Sequence, residues 1–167
     1  MTNDNVQDQR ESTQGANSEP ATRTLQPGRA GSFKFAIFAD EISTIAAWRE
    51  PTPLPKAPKS VLGVASIQGR MLTVLDLAAL RGLETASNET DAKQLIALRG
   101  DEQLALAVDE LGEPIPLVGS DLDPTLATSD TLLLGVLHRE GGDLCILNVK
   151  ELFPSAIQGR ERRRRRF

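Results

Sequence analysis

Short apolar stretches separated by turn residues recur along the chain from Phe33 to Phe153. The first of them, FKFAIF, alternates large apolar side chains with smaller or charged ones, which is the two-residue period of a half-buried strand. Residues 42–48 are predicted as its return strand. A loop with four prolines in eleven residues follows, because proline lacks the donor of a sheet ladder. Many short strands and few helical periods predict an all-β barrel or sandwich.

The stretch Val61 to Leu80 predicts a hairpin followed by a helix. Two apolar strands surround a turn that contains Gly69, and glycine supplies the positive φ that such a turn needs. Asp76 is the predicted N-cap of a short helix that stops at Gly82. The stretch has no nucleophile–base pair, no metal-ligand spacing and no phosphate-binding glycine loop. It therefore predicts scaffold rather than chemistry.

The second half of the chain repeats this plan. A hairpin is predicted over 94–108, a strand with prolines over 113–118, and a last hairpin over 132–149. VLDLAAL in the first half resembles ILNVKELF in the second. We therefore predict two small barrels with similar plans packed together. The first covers about 33–83 plus closing elements and the second about 94–153, with a polar linker at 84–93.

Both ends of the chain differ from the body in composition. Residues 1–31 are polar and have few large apolar groups, which predicts a disordered tail. The last eight residues, RERRRRRF, hold six arginines and one glutamate, so the rest of the chain carries 13 basic and 22 acidic groups, a net charge of −9. An acidic body argues against nucleic acid as the partner of the main surface, since phosphate binding needs clustered Lys or Arg.

The arginine-rich tail, residues 157–167, leaves three interpretations open. Its run of Arg162, Arg163, Arg164, Arg165 and Arg166 is typical of a solvated segment. It also suits a weak, salt-sensitive attachment to anionic lipid or nucleic acid. Finally, it suits contact with an acidic patch, either of a partner or of this protein's own body.

Other residues with chemical potential have simple structural explanations. His138 is the only histidine and no ligand spacing surrounds it, so we expect no chemical role. Cys145 is the only cysteine, which predicts an inert buried thiol and a reducing, cytoplasmic compartment. Asp121, Asp123 and Asp130 lack the bidentate glutamate of a calcium loop, so they predict a solvated loop. We predict no cofactor, no metal and no enzymatic activity.

Three strings resemble the CheW-like family of chemotaxis coupling proteins. In PLPKAPKSVLGVASIQGRMLTVLDLAALRGL, the matching positions are Leu62, Gly63, Val64, Gly69, Val74, Asp76 and Leu77. LIALRGDEQLALAVDELGE resembles the family's second-barrel hairpin, and LLGVLHREGGDLCILNVKELF resembles its closing hairpin and helix. The resemblance runs from Phe33 to about Phe153, within a domain expected at 32–156.

The resemblance implies a fold and a set of partners. CheW-like proteins consist of two five-stranded SH3-like barrels with short helices. They bind the regulatory domain of a CheA-type histidine kinase and the cytoplasmic tip of a methyl-accepting chemoreceptor. This implies a non-catalytic cytoplasmic adaptor at membrane receptor arrays. The alternative is a CheW-like module of a type IV pilus or other kinase array, in which the basic tail aids membrane or polar localisation.

The resemblance also suggests which residues contact partners. They are Trp48, Val64, Gln68, Gly69 and Arg70, whereas Gly63 and Asp76 are structural. At Gln68 and Arg70 a contact role and a simple solvated turn are both open. Trp48 is either a core residue or the anchor of a groove.

The sequence departs from the family pattern around the same hairpin. The family's Asn-Leu-Arg-Gly becomes Ser66-Ile67-Gln68-Gly69, so a glutamine stands where the family has an arginine associated with partner contacts. Glutamine lacks both the charge and the forked donors of arginine. Thr73 replaces the turn proline, and Ala47 stands near the place of a usual glutamate.

Overall fold

A computed structural model of the protein describes residues 22–83, 94–100, 102–118 and 121–157. Within these ranges the strands are β1 (Arg23–Ala30), β2 (Phe33–Phe38), β3 (Ile42–Ala47), β4 (Val61–Ile67), β5 (Arg70–Asp76), β6 (Gln94–Leu98), β7 (Leu104–Val108), β8 (Glu110–Leu111), β9 (Ile115–Leu117), β10 (Leu122–Asp123), β11 (Leu133–Leu137) and β12 (Leu144–Leu147). Helix α1 is Leu77–Leu80 and helix α2 is residues 152–157. Short 3-10 helices lie at Ala39–Glu41, Thr125–Thr128 and Val149–Glu151. None of the described helices has the length and apolar character needed to cross a bilayer.

The strands form two sheets, so the all-β class is confirmed. The first sheet has the order β10-β11-β12-β2-β1-β8, with β9 also paired to β1. The second sheet has the order β3-β6-β7-β5-β4. Each sheet contains one parallel pair, β12 with β2 and β5 with β7, among antiparallel neighbours. The pairings leave both sheets open, so they resemble small barrels without a closed ladder.

Each half of the chain contributes strands to both sheets. The first half places hairpin β1–β2 in the first sheet and β3, β4 and β5 in the second. The second half places hairpin β6–β7 in the second sheet and its later strands in the first. The chain crosses between sheets after β2, at Ala39–Glu41, and again after β7, at Asp109. The sheets therefore do not divide the chain between residues 83 and 94, where the sequence suggested a boundary.

Three apolar clusters explain the sequence pattern of the central strands. In β7, Leu104, Leu106 and Val108 belong to the cluster between the sheets, while Ala105 and Ala107 lie in a second cluster inside the second sheet. In β2, Phe35 and Ile37 join the cluster between the sheets, whereas Ala36 and Phe38 join a third cluster inside the first sheet. A strand buried on both faces has no polar alternation, which is why LALAV is a continuous apolar run.

The internal repeat extends to a glycine in each main hairpin. Val61-Leu62-Gly63-Val64 in β4 and Leu133-Leu134-Gly135-Val136 in β11 occupy equivalent places, and each pairing ladder shifts register just before its glycine. At both sites a neighbouring carbonyl approaches closely. A Cβ on Gly63 would lie 2.1 Å from the Thr52 oxygen, and one on Gly135 would lie 2.6 Å from the Asp123 oxygen. Both glycines therefore make room for an adjacent segment.

Two sequence expectations about the first strands are wrong. Residues 23–30 were expected within a disordered tail but form β1, which lies between β2 and β8 with Leu25 fully buried. Pairing with neighbouring strands fixes the position of β1, and its own sequence shows little apolar alternation. Strand β3 is not the return strand of β2, since it pairs with β6 in the other sheet. The predicted linker 84–93 and residues 1–21 lie outside the described residues.

Candidate partner-binding site

The β4–β5 hairpin ends in a two-residue turn that presents the candidate residues to solvent. Ile67 pairs with Arg70, and between them Gln68 has φ 51° and Gly69 has φ 78°. Two positive φ values in a two-residue hairpin loop define a type I′ turn, whose twist matches that of the strands. The positive φ predicted for Gly69 is confirmed. Gln68, Gly69 and Arg70 are all exposed at this tip.

Side chains connect the tip to the opposite edge of the second sheet. Gln68 Nε2 donates a long hydrogen bond of 3.4 Å to Thr44 Oγ1 on β3. Arg49, just beyond β3, donates from its guanidinium to the Ser66 carbonyl at 3.0 Å. Strands β3 and β4 are the two ends of the sheet path. The sheet therefore curls until its edges meet through side chains, and it fixes the position of the tip.

The other two contact candidates lie away from the tip, Trp48 just after β3 and Val64 within β4. Trp48 is half-buried and packs with Ala46 and Leu62 against the cluster inside the second sheet. Val64 is also half-buried, and its backbone exchanges hydrogen bonds of 2.8 and 2.9 Å with Thr52. The structure thus brings three of the five candidates together at the tip. Trp48 and Val64 pack away from the tip and are only partly exposed.

The two structural candidates have clear local roles. Gly63 has φ 143° and faces the Thr52 carbonyl described above. Asp76 caps α1, since its carboxylate accepts a hydrogen bond of 3.2 Å from the Ala79 amide. Burial raises the pKa of the Asp76 carboxyl above its usual value. The predicted N-cap is confirmed.

Sequence reasoning missed two further features of this surface. Met71 is 59% exposed and Ile45 is 41% exposed, so each is an apolar side chain facing solvent in the same sheet as the tip. Charge is also unevenly distributed: residues 22–83 hold eight Lys or Arg and four Asp or Glu, whereas residues 94–157 hold three and eleven. Separate counts for the two halves would have revealed this asymmetry. The hairpin thus belongs to the basic part of an acidic body.

His138 lies far along the chain in a different cluster, where both of its ring nitrogens contact carboxylates. Nδ1 is 2.9 Å from Asp143 Oδ1, and Nε2 is 3.2 Å from Asp123 Oδ2. Asp123 also accepts hydrogen bonds from the Thr125 hydroxyl and amide, which together with His138 lower its pKa to about 2. No local pattern predicts the contact with Asp123, because it depends on the pairing of β10 with β11.

We predict that the His138 pKa lies above 6.5, because the hydrogen bond to Asp143, and then that to Asp123, favours the protonated ring. Since the folded-state pKa is raised, the contribution of His138 to stability is full below pH 6.5. It is lost as the pH rises through the folded-state pKa. His138 is the only histidine, so its proton NMR titration is unambiguous. Asp143→Asn should lower its pKa and Asp121→Asn, a nearby exposed control, should not; a wild-type value at or below 6.5 would contradict the prediction.

The remaining titratable candidates show no assembled centre. Asp130 forms an ion pair with Arg81 and so does not lie free in its loop. Cys145 is a free thiol, half-buried, and burial raises its pKa. No group of three or more His, Cys, Asp or Glu side chains in the described part of the chain has the arrangement of a metal site. The arginine run from Arg162 to Arg166 lies outside the described residues.

Comparison with known proteins identifies the family. The family model for the CheW-like domain matches residues 29–156, which includes both sheets from the end of β1 to α2. The chain belongs to the CheW-like family. The CheW fold also appears in the crystal structure of the scaffolding protein TtCheW from Thermoanaerobacter tengcongensis. The match to that structure has a TM-score of 0.68 at 18% identity and covers 78% of this chain and 92% of the TtCheW chain.

Relatives within the family are of moderate similarity. The chemotaxis protein CheW of Rhizobium meliloti is 29% identical over 137 residues, covering 80% of this chain and 88% of the relative. The chemotaxis protein CheW of Helicobacter pylori is 27% identical over 149 residues, covering 86% and 90%. Protein PilI of Pseudomonas aeruginosa is 28% identical over 116 residues, covering 67% and 65%. A divergent member of the family fits these identities.

Proposed function

We propose that this protein is a non-catalytic adaptor that couples chemoreceptors to a CheA-type histidine kinase, through the kinase regulatory domain and the cytoplasmic tip of the receptor. The observation that carries the proposal is the match to the CheW-like domain across residues 29–156. Most of both sheets falls within the match. The CheW relatives named above are chemotaxis proteins, and the structural relative is a scaffolding protein.

The tip of the β4–β5 hairpin is the surface that we propose for partner contact. A two-residue turn and the side chains joining it to β3 hold it in place, so little conformational freedom is lost on binding. Arg70 and Arg49 supply positive charge at the tip, and Met71 supplies exposed apolar area beside it. A partner surface that is acidic and partly apolar complements this combination. The guanidinium of Arg49 lies close to the hairpin tip, where Gln68 stands in place of the family's arginine.

A second candidate function is a CheW-like module of a type IV pilus or other kinase array. The match to PilI favours it, but that match covers a smaller share of this chain than either CheW relative does. Both candidates place the protein in the cytoplasm beside membrane receptors. They differ in the kinase and the receptor that it would bind.

A charge reversal at the tip tests the proposed contact. We expect Arg70→Glu to weaken binding to the kinase regulatory domain about tenfold, because it sets like charges against an acidic partner. Arg139→Glu, which reverses an exposed charge on the β11–β12 hairpin, is the matched control and should bind as the wild type does. Isothermal titration against chemotaxis-type and pilus-type kinase domains gives both affinities.

The titration separates the two candidates and can refute both. Tighter binding to the pilus-type domain would favour the second candidate. No binding to either domain at micromolar concentration would contradict the adaptor proposal. Equal loss in Arg70→Glu and Arg139→Glu would remove the hairpin tip as the contact surface and leave the adaptor role intact.

A further inference from the structure

Helix α2 presents large apolar side chains to solvent. It buries Leu152 and Ala156 in the cluster between the sheets. Phe153 and Ile157 are 36% and 47% exposed, and they share one face of the helix because they are four residues apart. Six large apolar side chains are exposed among the described residues, and these two are the ones that lie in a helix. The helix is thus apolar toward solvent as well as toward the core.

The internal repeat does not account for this exposed pair. VLDLAAL and ILNVKEL are equivalent segments, so helix α1 corresponds to residues 149–152. In the first half the next residues are Arg-Gly and the helix has ended, whereas in the second half Phe-Pro-Ser-Ala-Ile follows and the chain remains helical to residue 157. Among these five added residues only Ala156 is buried. The addition therefore contributes more to the surface than to the core.

Positive charge is concentrated around and after α2. Residues 150–167 hold seven Lys or Arg and two Asp or Glu, a net charge of +5, so the rest of the chain, with twelve and twenty-one, has a net charge of −9. The distance from Ile157 to Arg162, where the run of five arginines begins, is at most about 18 Å along an extended chain. The apolar pair and the arginines can therefore reach one surface at the same time.

Most of this segment lies outside the part of the chain that the family model matches. The CheW-like domain ends at residue 156, and Ile157 and the arginine run follow it. Partners that are common to the family therefore do not explain these residues. A contact made by the segment would be additional to the contacts of the adaptor.

Three kinds of surface attract arginines, and the apolar pair distinguishes between them. Nucleic acid offers phosphate charge but no apolar phase that would bury an isoleucine. A carboxylate patch on a protein has fixed positions, whereas five consecutive side chains point to different sides of any helix or strand. An anionic bilayer offers mobile headgroup charge, and beneath it an acyl boundary into which phenylalanine and isoleucine insert. The bilayer therefore accommodates both features.

We propose that α2 and the arginine run form a binding site for an anionic lipid surface, with Phe153 and Ile157 inserted at the headgroup level and the arginines on the lipid headgroups. Such binding grows with the apolar area buried and with the attraction of cations to anionic lipid, so the two parts reinforce each other. The acidic remainder of the chain is repelled by the same surface, so the protein approaches it with α2 first. The proposal goes beyond the adaptor function and does not depend on it.

The test measures sedimentation of the full chain with phosphatidylcholine vesicles that contain or lack phosphatidylserine. We expect binding only where phosphatidylserine is present, and we expect it to weaken at least about tenfold in about 0.5 M salt. Replacing the five arginines from Arg162 to Arg166 by glutamine should weaken it by at least about tenfold as well. Phe153→Ser combined with Ile157→Ser should weaken it about tenfold, because the apolar contact is lost.

Two further variants control for surface chemistry and for folding. Leu54→Ser removes an apolar side chain that is 44% exposed elsewhere on the surface, and it should bind the vesicles as the wild type does. Ile157→Ser alone changes the more exposed of the two α2 side chains, and it should weaken binding about threefold. This single variant decides the result if circular dichroism shows that the double variant is unfolded.

The other outcomes overturn the proposal. Equal binding to vesicles without phosphatidylserine, or no binding to either kind, would remove the anionic lipid surface as the partner. Wild-type affinity in both serine variants would mean that the arginines act without α2. Tighter binding to a single-stranded RNA than to the vesicles, unchanged by the serine substitutions, would assign the arginine run to nucleic acid. The kinase titration described above is independent of all these results.

Discussion

Replacing Gly63 by alanine is expected to destabilise the protein by about 3 kcal/mol or more. The new Cβ would lie 2.1 Å from the Thr52 carbonyl oxygen and 2.6 Å from its carbon, and neither backbone atom can rotate away. Overpacking of this kind costs about 1–3 kcal/mol. The φ of 143° adds strain for any residue with a Cβ, on the order of 1–3 kcal/mol. Urea unfolding followed by circular dichroism measures the loss.

Two other glycines provide graded controls for this prediction. Gly82 has φ 72°, and no atom lies within 4 Å of the place that a Cβ would take, so Gly82→Ala should show the backbone cost alone, about 1 kcal/mol. Gly135→Ala meets the Asp123 carbonyl at 2.6 Å without a positive φ, so it should fall between the two. If Gly63→Ala costs no more than Gly82→Ala, the close approach of residue 52 does not constrain the fold.

The family resemblance had rested partly on Leu-Gly-Val, and the structure gives these letters a physical reason. Glycine at position 63 lets the proline-rich segment pair with β4 through the Thr52–Val64 bridge. Glycine at position 135 lets β10 pair with β11 in the same way. The glycine of this motif therefore allows an edge segment to pair with a hairpin strand, and the motif occurs once in each half of the chain.

Local elements were predictable from the sequence, whereas the pairing between distant strands was not. The β4–β5, β6–β7 and β11–β12 hairpins and the cap at Asp76 follow from short-range patterns and agree with the structure. Strand β1 was missed, because Leu25 and Ala30 are its only buried apolar residues and a proline and a glycine interrupt it. Its position depends on β2, β8 and β9, which no local pattern reveals.

The candidate site shows the same limit. The exposed tip at Gln68, Gly69 and Arg70 was predictable, since a two-residue turn must lie at the end of its hairpin. The contribution of Arg49 was not, because it depends on the curl that brings the β3 edge to β4. The pairing of His138 with Asp123 also depends on a long-range contact, between β10 and β11.

Phe35→Ala is expected to destabilise the protein by about 3–5 kcal/mol, the usual cost of removing a fully buried phenylalanine. Phe35 lies in the first sheet and packs in the cluster between the sheets. Residues of both sheets form that cluster, so neither sheet keeps its buried face when the other unfolds. The loss should therefore be felt equally by both sheets.

Trp48 makes this cooperativity measurable, because the only tryptophan reports on the second sheet while Phe35 belongs to the first. In Phe35→Ala, the urea midpoint from Trp48 fluorescence should fall together with the midpoint from far-ultraviolet circular dichroism, and the two should coincide. Leu54→Ala, at a side chain that is 44% exposed, should change the free energy of unfolding by less than about 0.5 kcal/mol. A Trp48 midpoint that stays at the wild-type value while the circular dichroism midpoint falls would show that the sheets unfold separately. The shared cluster would then not couple the two sheets.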